Sequence, residues 1–206
     1  MKTTPIHTLL LLLSAGIPSG LAAGNRVDNV QPKVAVVGTP EVMAQVRGAT
    51  PKRPRPISAN EPAPTWLEFE ADFDAMEDFP ELVFKYSIIL KFGQARKLIE
   101  GEVTHVDIPK GKDRHSVIYL PPKTLNKLSE GKPFTANNVL ALWVEVFAAG
   151  ELVGGKFKSP IGITSEMVAK DKDAIPKAGD LFLNKSQTPF APLNWDYYEA
   201  VKPSTR

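Results

Sequence analysis

The chain has 206 residues, a formal net charge of +2 at pH 7, 19 prolines and no cysteine. A balance so close to neutral argues against a nucleic-acid binder, and without cysteine neither a disulfide nor a lipid-bearing thiol can hold the chain. Stability must come from a hydrophobic core, for which the roughly 140 residues behind the N-terminal segments suffice.

Residues 1–23 read as an export signal. Lys2 forms the n-region, residues 9–13 an apolar run, and small residues lead to cleavage after Ala22 or Ala23. The run is too short to cross a bilayer and no other apolar stretch is longer, so no membrane span is expected in the mature chain. An exported chain free of cysteine suits a bacterial envelope, in the periplasm or at the outer-membrane surface. Residues 24–64 read as a basic, proline-rich linker, with Pro32, Pro40, Pro51, Pro54, Pro56, Pro62 and Pro64 excluding long regular elements. Lys52, Arg53 and Arg55 give it a polyproline-like basic piece. Val34, Ala35, Val36 and Val37 form the exception, a run able to add as an edge strand to its own domain or to another protein.

The folded domain is expected over residues 65–206. Leu67, Phe69, Ala71 and Phe73 alternate with Glu68, Glu70, Asp72 and Asp74, a half-buried strand whose acidic side suits a sheet edge. Leu82, Phe84, Tyr86, Ile88, Leu90 and Phe92 make the most continuous apolar row, expected to pack across the core from residues 140–146. Residues 97–108 predict a third strand whose pattern slips, so a bulge is expected near Thr104 and His105. A fourth strand over residues 115–120 follows a loop at Pro109, and Pro121 and Pro122 open a short helix that ends at Gly131. Residues 139–158 predict a hairpin with Leu140, Leu142, Val144 and Val146 on the core side. A four-residue turn on a type I core, with Gly150 at positive φ, then sets Phe147 opposite Leu152, Val144 opposite Gly155 and Leu142 opposite Phe157. Residues 161–163 and 181–183 are short strand candidates, and the aromatic tail around Phe190, Trp195, Tyr197 and Tyr198 is expected to pack back on the domain. About seven strands with little helix read as an all-β, immunoglobulin-like sandwich.

The inventory for chemistry is thin. Ser116, His105 and Asp107 are the available hydrolase set, but no strand-turn-helix elbow presents the serine, and His105 reads as a surface residue. Glu77, Asp78 and Glu81 lack calcium-loop spacing, and no zinc, phosphate-loop or dinucleotide pattern occurs. No enzyme, cofactor or metal is therefore expected. The acidic strand side (Glu68, Glu70, Asp72) and the later basic run (Lys110, Lys112, Arg114, Lys123, Lys127, Lys132) read as solvated faces or as polar contact surfaces. On the hairpin's second face Trp143 and Phe147 flank Glu145, and Lys156 is expected opposite Trp143 within cation–π reach. Trp143, Phe147, Lys156, Glu68, Glu70 and Asp72 are thus the candidate partner contacts, for an envelope protein or, alternatively, for a glycan stacked on exposed rings.

A cysteine-free exported chain with a basic proline-rich spacer leads to Val139-Leu140-Ala141-Leu142-Trp143-Val144-Glu145-Val146-Phe147 and Lys158-Ser159-Pro160-Ile161-Gly162-Ile163. That pattern resembles the abundant immunoglobulin-like envelope proteins of mucus-dwelling Verrucomicrobia, encoded beside type IV pilus genes. The resemblance runs from Trp66 to the end. It implies a non-enzymatic part in pilus assembly or surface interaction and carries over no functional residue.

Overall fold

Alternation along residues 65–75 buries Leu67, Phe69, Ala71 and Phe73, and the row from Leu82 to Phe92 is buried on the same principle. These rows face each other across two packed sheets in a computed structural model that describes residues 26–40, 64–132, 134–159, 164–166, 168, 175–194 and 196–203. The expected signal lies outside the described residues, as do residues 41–63 of the expected linker and residues 161–163. The long strands are β1 (Val27–Gly38), β2 (Thr65–Ala75), β3 (Phe79–Phe92), β4 (Ala95–Ile108), β5 (Gly111–Leu120), β6 (Val139–Ala148) and β7 (Glu151–Lys158). Short strands β8 (Lys177–Asp180) and β9 (Leu183–Asn184) complete the sheets, and α1 (Pro122–Ser129) is the expected short helix, with Pro122 in its first turn. The orders β1-β2-β5-β9 and β7-β6-β3-β4-β8 make an all-β sandwich. In immunoglobulin lettering, β1, β2 and β5 stand as A, B and E opposite C′, C, F and G.

The sandwich begins earlier than the sequence suggests. β1 lies inside the expected linker and pairs along its length with β2, so the apolar run at Val34 adds to its own domain. Pro32 is tolerated because β1 is an edge strand. β2 is consequently a central strand, between β1 and β5, not an edge. Its acidic side chains are compatible with that position because tail residues and β1 supply them with partners. β3 pairs directly with β6, Phe84 with Val146 and Tyr86 with Val144, so those two rows share one sheet and face β2 together.

Three local departures decide which side chains meet. β4 runs against β3 in unbroken register, with no bulge at Thr104. His105, which the sequence reads as a surface residue, is completely buried at an inward position, and Asp107 at φ 54° resets the parity before buried Ile108. The β6–β7 connection is a two-residue turn at Ala149 (φ 49°) and Gly150 (φ 84°), since Ala148 pairs with Glu151. Positive φ at both central positions is the type I′ geometry that matches strand twist, so it replaces the expected type I turn. Phe147 does pair with Leu152, but a bulge at Val153 then shifts the register. Val144 meets Lys156 and Trp143 meets Phe157 in place of the expected partners. Gly154 permits this: a Cβ there would stand 2.5 Å from the carbonyl oxygen of Val27, where β1 crosses β7. At the other end of β6 a register shift between Ile89 and Leu90 turns Leu140 outward, into a second cluster with Ala141, Val168 and Ile175.

Candidate functional site

The residues that resemble catalytic machinery are sealed. β4, β5 and β3 bring His105, Ser116 and Tyr86 together between the sheets, with His105 and Ser116 each 0% exposed. The His105 Nδ1–H donates to the Glu199 carbonyl (3.1 Å), which leaves Nε2 to accept from the Ser116 hydroxyl (2.8 Å). Ser116 Oγ in turn accepts from the Tyr86 hydroxyl at 2.9 Å. Both ring nitrogens and both hydroxyls of this network have partners, as a buried network requires. Burial pushes the His105 imidazolium down to about 4, against the opposing pull of the Glu199 and Ala200 backbone, and pushes the Tyr86 phenol up. Asp107 takes no part, because Glu199 supplies the third group. What the arrangement does is tether the tail: Val106 N–H donates to Ala200, Lys202 N–H to Thr104 and Glu199 N–H to His115, so residues 199–202 bridge β4 and β5.

The acidic side of β2 is occupied by the molecule itself. Lys33 of β1 places its ammonium 3.2 Å from Glu70 and 2.5 Å from Asp72. Tyr198 donates to Glu70 at 2.8 Å, and His115 Nδ1 lies 2.9 Å from Asp72 beneath the stacked ring of Tyr197. Burial raises the Glu68 carboxyl, which the hydrogen bond with Tyr119 partly offsets. Burial would raise Asp72 too, but hydrogen bonds from Lys33 and His115 prevail and hold it below the usual carboxylate range. Glu70, Asp72 and His115 converge within 4.8 Å, close enough for a metal, yet the Lys33 ammonium already sits on both carboxylates. Above them Phe190 stacks on Tyr119 at 4.6 Å and meets Trp66 edge-on, so Phe190, Tyr197 and Tyr198 pack back on the domain as expected, while Trp195 lies outside the described residues. Of the other acidic candidates, Glu77 holds Arg26, Asp78 accepts from the Lys110 N–H and Glu81 holds Lys202.

The outer side of the second sheet is built differently. Trp143 is half-buried against Phe157 (5.7 Å) and abuts the cluster of Leu140, Val168 and Ile175. Lys156 is exposed opposite Val144, so it does not stand over Trp143. The cation–π contact falls instead between Lys85 of β3 and Phe147, at 4.7 Å. Beside Phe147 its strand partner Leu152 is 60% exposed. Lys85 and Leu152 were absent from the sequence-derived set. The signal for Lys85 was an outward-facing lysine in an apolar strand, and it gained meaning only once β3 was paired with β6.

A protein-family model matches residues 20–205. The chain belongs to that family. No curated protein matches the chain. A crystal structure of a protein from Akkermansia muciniphila is similar over 85% of this chain and 96% of that one, at 20% sequence identity and a TM-score of 0.61. At that identity the likeness is one of fold, and it comes from the verrucomicrobial group to which the sequence pattern pointed.

Proposed function

We propose that this family member is a non-enzymatic interaction module of the bacterial envelope, exported to the periplasm or outer surface and serving type IV pilus assembly or surface contacts. The observation that carries the reading is the Lys85–Phe147–Leu152 group, an apolar anchor with a charged neighbour left partly open on the second sheet. Such aromatic and aliphatic anchors beside polar groups are what interface hot spots are made of. The signal-like N-terminus and the verrucomicrobial fold likeness support the compartment. Burial of the Ser116–His105 pair supports a role without chemistry, since no substrate reaches a hydroxyl that is 0% exposed.

The test is a capture experiment from envelope extracts with pilus components identified by mass spectrometry. Phe147→Ala combined with Leu152→Ala should weaken capture by more than tenfold, because hot-spot truncations cost about 2 kcal/mol or more. The melting temperature should change little. Undiminished capture by the double variant refutes this surface as the docking site. Binding to mucus glycans that is lost in the same variant points instead to the sugar-binding alternative.

A further inference from the structure

Among the described residues, the buried charge of Lys185 has no counter-charge. Lys185, in the turn after β9, is only 8% exposed. Its ammonium donates to the Ala191 carbonyl (3.1 Å) and lies 5.5 Å from the centre of the Tyr198 ring. Those contacts use one of three N–H donors, and no carboxylate among the described residues pairs with it. Lysine is almost never buried this far without a partner. The side chain lines a cavity of about 210 Å³ between β5 and the tail, bordered by Val117, Ser186, Ala191, Val201, Tyr198 and Glu199, with the neutral His105 ring at its floor. That volume equals roughly seven waters.

We propose that this cavity binds a small monocarboxylate, with Lys185 as its counter-charge. The carboxylate on its rim is already committed, Glu199 to Arg114 at 3.5 Å. Lys185 is the uncommitted charge, and burial, which lowers its proton affinity, makes an anion the favourable neighbour. The walls set the rest of the ligand. Val117, Ala191, Val201 and the Tyr198 ring suit a short apolar body, and the Glu199 carboxylate disfavours a second negative charge. The carboxylate is either that of a free acid, of an acidic sugar or of a peptide chain end.

The test is an NMR titration of the full mature chain, following the amides of Ser186, Ala191 and Val201. The probes are butyrate, benzoate, glucuronate and a tripeptide with a free C-terminus, with butyramide as the uncharged isostere. Butyrate or benzoate should produce saturable shifts, butyramide none, and Lys185→Met should weaken binding about tenfold or more. Tighter binding of glucuronate or of the tripeptide identifies the source and supports the site. Equal binding of butyrate and butyramide, no shift with any probe at high millimolar concentration, or unchanged affinity in Lys185→Met overturns it. The butyrate–butyramide comparison decides on the unaltered chain should the methionine variant fail to fold.

Discussion

Acid should loosen this fold through His105. In the folded chain the imidazole is neutral to about pH 4, whereas in the unfolded chain it protonates near its ordinary value of 6.5. Between those values the unfolded state binds the extra proton, so stability is complete above about 6.5 and falls as pH drops towards 4. The difference of about 2.5 units corresponds to roughly 3 kcal/mol once pH is below both values. The geometry supplies the reason beyond burial. A protonated Nε2 would confront Ser116 Oγ, which already accepts from Tyr86, so one hydroxyl proton would lose its acceptor. Urea unfolding of the native chain and of His105→Gln, from pH 7 to pH 4, measures it. Carboxylate titrations are common to both proteins and cancel in the difference, leaving a gap that narrows by about 3 kcal/mol as pH falls. Parallel stability curves, or a folded-state His105 that titrates near 6.5 by NMR, refute the reasoning.

Gly101→Ala places a Cβ 2.4 Å from Phe182 Cδ2, displacing a ring that packs edge-on against Phe69, and should cost about 1–3 kcal/mol in chemical denaturation. Ala149→Gly removes the left-handed strain at φ 49° and should stabilise by about 0.5–1 kcal/mol, read as a higher denaturation midpoint at unchanged slope. Leu142→Ala and Ile88→Ala, both buried in the main core, should each lose about 2–5 kcal/mol. Glu70→Ala strands the Tyr198 hydroxyl and one contact of Lys33, so a measurable loss of about 1–2 kcal/mol is expected where an exposed strand residue would show none.

Period-two alternation carried most of the fold. Leu67 to Phe73, Leu82 to Phe92 and Leu142 to Val146 point inward as their parity demands. What parity cannot express is which strand lies beside which. The rows of β3 and β6 read as opposed, yet they pair side by side, because both placements bury the same residues. Nor does it register single-residue events. Val153 bulges, Leu140 turns outward and Asp107 takes positive φ, each shifting a few side chains to the other face. His105 shows the limit most clearly: a polar residue reads as surface unless its partners are known, and they come from β3, β5 and a carbonyl 94 residues away.

The same register determines where the proposed partner would dock. Had β7 paired without its bulge, Lys156 would have stood over Trp143, and the contact surface would have centred there. With a bulge at Val153, Phe157 packs against the indole instead, and Lys85 stands over the Phe147 ring. On the opposite sheet the carboxylates that made the sequence look like an acidic docking strip spend their charge internally, on Lys33, His115 and Tyr198. A group already holding an intramolecular cation gains little from an incoming one, since the resident pair must first be broken and both charges resolvated. Docking on that side therefore requires the tail to move. The proposed docking at Phe147 and Leu152 would leave the tail in place, and that asymmetry favours the second sheet for recognition.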